Sequence, residues 1–150
     1  GEADERVRRA IVAERARLMA GHDERESDAL QRQIVEDVLT LKCPRDGCRQ
    51  AYVDFNGCAA LQCSRCPCHF CGWCLHDCDL DAHTHVLRCP EKPPGVDPYF
   101  PSPRACFDEH WMRRKAAQVD ELLQQARPTV QAIVCRTLQR QLDDIGYRLV

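Results

Sequence analysis

Ten of the twelve cysteines lie in the 47 residues from Cys43 to Cys89, and this cluster constrains the fold more than any other feature. Pairs separated by two or four residues include Cys43/Cys48, Cys63/Cys66 and Cys71/Cys74. A turn with such spacing brings two thiolates to one tetrahedral metal ion. Repeated C-x2-C pairs that are followed by histidines and a further cysteine are not typical of disulfide frameworks. We therefore predict metal binding in a reducing compartment, cytoplasmic or nuclear, and no secretion.

The overall composition argues against several other classes of protein. The chain has 150 residues with 21 basic and 23 acidic side chains, whereas nucleic-acid modules usually carry a basic excess or stripe. No stretch approaches the roughly 18 apolar residues that a membrane helix needs. We therefore expect no nucleic-acid partner and no membrane partner. The charged first 20 residues predict no signal peptide. Because the chain begins at Gly1 rather than Met, we expect it to be part of a longer protein.

The spacing predicts two closed tetrahedral zinc sites, and therefore two zinc ions as cofactors. The ligands of the first, called site one, are predicted to be Cys43, Cys48, Cys63 and Cys66. The second, called site two, takes Cys71, Cys74 and two of Cys78, His83, His85 and Cys89. His85 and Cys89 lie four residues apart, on one face of a short helix that Asp81 could cap, so we expect these two to complete site two. His83 with Cys89, and Cys78 with His83, are the alternatives.

The zinc sites divide the chain into four segments. We predict an N-terminal helical segment over 1–40, a zinc domain over 41–89, a proline-rich connector over 90–103 and a C-terminal helical segment over 104–150. The expected fold is a small zinc ribbon with short β-hairpins, flanked by α-helices. A structural zinc ion contributes about 10–16 kcal/mol of apparent binding free energy, which is also folding free energy. The metal, rather than a large apolar core, should therefore stabilise residues 41–89.

Periodicity and turn signals predict the individual elements. Helices are expected over 2–20, 24–40, 104–127 and from Pro128 to about Leu149. Gly21-His22-Asp23 is a plausible break between the first two, with Ser27 or Asp28 as a cap. Residues 51–55 alternate in polarity and favour a short strand, and Asn56-Gly57 is a turn signal. Because both helical segments carry apolar stripes, we expect the C-terminal one to fold back on 24–40.

Besides Cys78, which is an alternative ligand of site two, four cysteines are not needed by either predicted site. Cys106 and Cys135 lie on helical stripes, where we expect small buried hydrophobic residues. Cys68 is too close to its neighbouring pairs to be needed by either site. Cys58 differs from these because it follows Asn-Gly at a predicted turn between metal-binding pairs. A thiol on an exposed turn is accessible to a substrate, and its thiolate is a nucleophile.

Around Cys58 the sequence resembles the catalytic last zinc domain (Rcat) of RING-between-RING ubiquitin ligases of the parkin and ariadne type. The matching positions are Gly57-Cys58, Cys63, Cys66, Phe70-Cys71 and Cys74-Leu75. The resemblance covers residues 43–89, about a third of the chain. It implies a transthiolating ligase whose partners are a charged ubiquitin-conjugating enzyme, ubiquitin and a protein substrate. It also implies that Cys58 accepts ubiquitin as a thioester and passes it to an amine.

Two positions depart from the family pattern. The first pair is C-x4-C, as in the family's in-between-RING domain, where no cysteine is catalytic. Ala60 occupies the position where the family often has the histidine that acts as general base. His83, if it does not bind zinc, could replace that base; His69 and His76 are weaker candidates. The alternative function is a non-catalytic zinc module that binds ubiquitin or another protein.

Overall fold

The structure is a computed structural model that describes residues 1–51 and 57–150. Its elements are α1 (Glu2–Gln33), a π-helical extension (Ile34–Leu39), β1 (Ala60–Gln62), β2 (His69–Cys71), α2 (His83–Arg88), α3 (Ala105–Gln124), α4 (Pro128–Thr137) and α5 (Gln139–Asp144). The strands β1 and β2 pair antiparallel, with Leu61 opposite Phe70. Apart from Ala51, the strand predicted over 51–55 lies outside the described residues, as does Asn56. Among the described residues, no helix combines the length and apolar character of a membrane span.

α1 is one continuous helix, so the break predicted at Gly21-His22-Asp23 is wrong. A single glycine disfavours a helix by only about 1 kcal/mol relative to alanine, and no proline lies in this segment to interrupt the hydrogen bonds. Ser27 does not cap a second helix; it is buried within α1, and its hydroxyl donates to the Asp23 carbonyl at 2.6 Å. The apolar residues of the first predicted helix, Val7, Ile11 and Leu18, are about half or more exposed.

The end of α1 packs against the C-terminal helices, as their apolar stripes predict. The buried residues of this helical core are Ile34, Val38, Val119, Leu123, Val130, Val134, Leu138, Leu142 and Tyr147. Arg127, just before α4, adds an ion-pair contact, because its guanidinium binds the carboxylates of Asp23 and Glu26 on α1. The N-terminal and C-terminal segments therefore form one helical core.

The last predicted helix, from Pro128 to about Leu149, is wrong in its continuity and its end. Pro128 does begin α4, but Leu138 departs from helical geometry between α4 and α5. α5 ends at Asp144 because Gly146 adopts a positive φ of 70°, which glycine allows without steric strain. Tyr147 then turns back, and its hydroxyl donates to Asp120 of α3 at 2.9 Å.

A second core is formed mostly by residues of the cysteine-rich segment. Its buried residues include Cys43, Ala59, Leu61, Cys63, Cys68, Phe70, Cys71, Trp73, Ala82, Val86, Cys89, Phe107 and Trp111. Phe107 and Trp111 belong to the first half of α3, whereas Val119 and Leu123 in its second half belong to the helical core. α3 therefore links the two cores directly.

We predict that Leu123→Ala destabilises the chain by about 2–5 kcal/mol, because Leu123 is 0% exposed and its truncation leaves a cavity. Leu18→Ala is the matched control, since Leu18 is 60% exposed and should change stability by about 0.5 kcal/mol or less. Chemical denaturation in a metal-buffered solution measures both free energies of unfolding. Equal effects of the two substitutions would contradict this assignment of the core.

Candidate metal centres and the Cys58 loop

The structure gathers the four cysteines predicted for site one. The sulfurs of Cys43, Cys48, Cys63 and Cys66 all lie within 4.8 Å of one another. The Sγ atoms are 3.7 Å apart in both the Cys43–Cys66 and the Cys48–Cys63 pair. Two thiolates bound tetrahedrally at about 2.3 Å from one zinc ion would be separated by about 3.8 Å. The spacing of the sulfurs therefore fits a tetrahedral ion such as zinc.

Two local turns position the site-one cysteines. The backbone N–H of Cys43 donates to the Gln50 carbonyl at 2.9 Å, which closes the segment that carries the first pair. The backbone N–H of Cys63 donates to the Cys68 carbonyl at 2.9 Å, which closes the turn that carries the second pair. Both turns are closed by hydrogen bonds between residues that are close in sequence. The spacing of the cysteines is therefore enough to predict which two cysteines share a turn.

The structure also gathers the four residues predicted for site two. The ligand atoms of Cys71, Cys74, His85 and Cys89 lie within 4.8 Å of one another. His85 directs its Nε2 atom toward Cys74, at 3.2 Å from the sulfur. The first two cysteines come from the turn after β2, called the second knuckle and defined as residues 71–74; the other two ligands lie on α2 and at its end. The two clusters could each hold a metal ion.

The alternative ligands for site two lie outside the cluster. His83 is exposed, and its Nδ1 atom lies 2.5 Å from the carboxylate of Asp81. That carboxylate also accepts the backbone N–H of His83 at 3.2 Å, but the N-cap residue of α2 is Ala82, so Asp81 lies one residue before the cap position that was predicted for it. The Cys78 sulfur lies 3.4 Å from the His76 carbonyl and is not part of the cluster. His85 and Cys89 are therefore the ligands that the geometry supports.

The thiols of site two favour cation binding. A hydrogen bond from the Cys71 thiol lowers the pKa of Cys74, and the same hydrogen bond raises the pKa of Cys71. Site two therefore has one sulfur that loses its proton readily, beside thiols that lose their protons when a metal binds. A donor set of three sulfurs and one imidazole nitrogen suits zinc, as does the four-sulfur set of site one.

Cys58 belongs to neither cluster, and the backbone on both sides of it is constrained. Gly57 has a φ of 101°, a conformation that L side chains rarely adopt. Ala59 is fully buried; its N–H donates to the Tyr99 carbonyl, and its own carbonyl accepts the N–H of Gly72, both at 2.7 Å. A Cβ atom on Gly72 would lie 2.9 Å from the Ala59 oxygen, so only glycine permits this close approach. Half-buried Cys58 is therefore anchored between the connector and the second knuckle.

Tyr99 contacts both His83 and residues 57–59, here called the Cys58 loop. Its carbonyl accepts the N–H of Ala59, and its hydroxyl donates to the His83 carbonyl at 3.0 Å. The rings of Tyr99 and His83 lie 5.6 Å apart. The two residues that were predicted to be catalytic, Cys58 and His83, are therefore both close to Tyr99. The hydrogen bond with His83 lowers the pKa of Asp81.

The weaker base candidates occupy other positions. The ring of His76 stacks on His85 at a centroid distance of 4.6 Å, beside site two. His69 lies on β2 and pairs with Gln62. Neither residue has the contact with Tyr99 that His83 has, so His83 stays the better candidate among the described histidines.

The remaining spare cysteines differ in burial from one another. Cys68 is 0% exposed, and burial, followed by its hydrogen bond with Asp77, raises its pKa to about 11, so its thiol stays protonated. Cys106 and Cys135 are only partly buried, whereas the helical stripes predict buried residues there. The expectation overestimated their burial because helical periodicity indicates a direction and not the depth of packing.

Tyr99 is a residue of the site that the sequence analysis did not identify. The indole of Trp73 donates to the carbonyl of Pro98, the residue before Tyr99, at 2.9 Å. This hydrogen bond fixes the connector on the second knuckle. The only signal in the sequence was an aromatic residue within a proline-rich connector. Such a residue indicates docking but does not identify the surface on which it docks.

The chain matches no protein-family model, no curated protein and no solved structure. Its function therefore has to be inferred from the geometry of the two clusters and of the Cys58 loop.

We predict that His85→Ala removes one bound metal ion per chain, because it deletes a ligand of site two. His83→Ala is the matched control and should retain both ions, since His83 lies outside the cluster. Native mass spectrometry counts the ions in each variant. If the histidine substitutions have the opposite effects, His83 is the ligand and the geometric assignment is wrong.

Proposed function

We propose that this chain is a zinc-dependent, transthiolating ubiquitin ligase module similar to the Rcat domain of RING-between-RING ligases. Both metal clusters would hold zinc. Cys58 would accept ubiquitin as a thioester from a ubiquitin-conjugating enzyme and transfer it to an amine of a protein substrate. The observation that carries the proposal is the position of Cys58: outside both clusters, half-buried, and anchored through Ala59.

The proposed chemistry has two balanced steps. The Cys58 thiol gives up its proton, and its thiolate attacks the thioester carbonyl of the charged conjugating enzyme. The carbon–sulfur bond to the enzyme's cysteine breaks, and that cysteine leaves as a thiolate that takes up a proton in turn. A substrate amine then attacks the new thioester, the Cys58 thiolate leaves, and an amide bond forms. The proton lost by the amine passes to a base. Zinc takes no part in either step, because each closed site has four protein ligands.

His83 is the candidate for that base. The position at which the family often has histidine is Ala60, the first residue of β1, whose methyl group cannot accept a proton. His83 is exposed, and its ring is oriented by Asp81 on one side and contacted by Tyr99 on the other. An oriented, accessible imidazole beside the Cys58 loop supports this role.

The oxyanion of the first step needs hydrogen-bond donors. A backbone N–H following the nucleophile often serves this purpose. Here the N–H of Ala59 already donates to the Tyr99 carbonyl. A donor for the oxyanion would therefore come either from another group or from displacement of Tyr99 when substrate binds.

The exposed apolar side chains of α1 favour a second candidate function, a non-catalytic zinc module that binds ubiquitin or another protein. Val7, Ile11, Val12, Leu18 and Met19 are each about half or more exposed. Apolar side chains on one exposed helix are typical of protein-binding surfaces. The two candidates differ in their requirement for the Cys58 sulfur, which only the ligase needs.

We predict that Cys58→Ser keeps both metal ions and the fold, because Cys58 is a ligand of neither cluster. It should abolish ubiquitin transfer and could trap an oxyester, since serine forms a more stable ester than the thioester. Cys106→Ser is the matched control: it removes another cysteine outside the clusters and should transfer normally. Intact-mass measurement after incubation with charged conjugating enzyme reads out the adduct on each variant.

Two results would contradict the ligase proposal. A parent chain that acquires no adduct sensitive to reducing agent would favour the non-catalytic module. A Cys58→Ser variant that transfers ubiquitin as well as the parent would place the chemistry elsewhere. Loss of a metal ion in Cys58→Ser would instead make this cysteine structural.

A further inference from the structure

Three consecutive carbonyls of the second knuckle accept hydrogen bonds from side chains of one helix. The indole Nε1 of Trp111 donates to the Gly72 carbonyl at 2.8 Å. His110 Nε2 lies 2.8 Å from the Trp73 carbonyl, which requires this nitrogen to carry the proton. An Nη2 atom of Arg114 donates to the Cys74 carbonyl at 3.1 Å. His110, Trp111 and Arg114 are here called the α3 clamp.

We propose that the α3 clamp is a set of positioning residues for site two, which slows the release of its metal ion. The hydrogen bonds of the clamp go to backbone carbonyls, so the clamp acts by fixing the backbone that carries Cys71 and Cys74. This role of the clamp does not depend on the ubiquitin ligase function. The clamp affects retention of the ion at site two and leaves site one unaffected.

Each donor of the clamp is itself held in place. His110 and Trp111 are only 8% and 7% exposed. The Arg114 guanidinium lies 5.1 Å from the centre of the Trp111 ring, and its Nε donates to Glu91 at 3.1 Å. The Trp73 ring packs edge-on against His110, with ring centroids 5.1 Å apart. Donors that are already ordered fix the knuckle at little further cost in entropy.

The clamp has a clear physical effect on the ligands. A knuckle can present two thiolates to one ion only while its peptide groups keep their orientation, and three hydrogen bonds to successive carbonyls oppose their rotation. Arg114 also places a cation beside a donor set of three thiolates, which a divalent ion leaves with excess negative charge. Hydrogen-bonding groups outside the ligand set typically change metal affinity by about 10–100-fold.

The hydrogen bonds to the first cluster come from a different source. The site-one cysteines are held by short turns, through Gln50 and Cys68, within the cysteine-rich segment itself. Loss of the clamp should therefore act on site two and spare site one. An effect on site two alone would indicate that the clamp positions the ligands of that site. An equal effect on both sites would indicate general destabilisation of the chain.

The test uses the full chain loaded with ¹¹³Cd²⁺, whose NMR shift distinguishes a four-sulfur from a three-sulfur, one-nitrogen site. Release of each ion to excess chelator is then followed by the loss of its own signal. In Trp111→Phe, which keeps an aromatic ring but removes the donor, and in Arg114→Ala, release from site two should accelerate about 10–100-fold. Site one should release its ion at the parent rate.

Two further variants complete the design. Arg113→Ala changes the neighbouring exposed arginine of α3 and should match the parent at both sites. Arg114→Lys retains a cationic donor and should fall between the parent and Arg114→Ala. Equal acceleration at both sites would overturn the proposal, since the clamp would then be a general stabiliser. Unchanged release from site two in both Trp111→Phe and Arg114→Ala would also overturn it.

Discussion

We propose that coordination of metal ions by the two clusters, each of which could hold one ion, is the interaction on which the cysteine-rich segment depends. The described part of the segment has only two paired strands of three residues each and one short helix, too little regular structure to fix its chain path. The two clusters bring together parts of the segment that the strands and the helix do not link. Site one joins the cysteine pair before β1 to the cysteine pair after it, and site two joins the second knuckle to α2. With metal bound, the folding free energy of the segment is largely binding free energy.

The second knuckle is where the parts of the molecule meet. Its cysteines belong to site two, its carbonyls accept hydrogen bonds from α3, and the N–H of Gly72 donates to the residue after Cys58. The connector is fixed on it through Trp73. Because α3 continues into the helical core with α1 and α4, the environment of Cys58 depends on the metal, the connector and the helices together.

The predictability of these features follows from how far apart in sequence the interacting residues lie. Both ligand sets could be read from the sequence because each is built from turns and a helix face with a fixed local spacing. Two of the wrong helix boundaries involve glycine, which has opposite effects at the two positions: Gly21 lies within α1, whereas Gly146 ends α5. The α3 clamp could not be predicted, since its donors lie 37 to 40 residues from the carbonyls they bind. Nothing in the local pattern of α3 distinguishes Arg114 from its neighbour.

The central claim is that two metal ions share seven cysteine sulfurs and one histidine nitrogen, which leaves Cys58 and His83 outside the coordination spheres. X-ray absorption spectroscopy at the zinc edge of the zinc-loaded chain measures this average directly. We expect each zinc to be four-coordinate, with sulfur outnumbering nitrogen seven to one over the two ions, and the same spectrum for Cys58→Ser and His83→Ala. A larger share of nitrogen, or a spectrum that changes in either variant, would contradict the assignment.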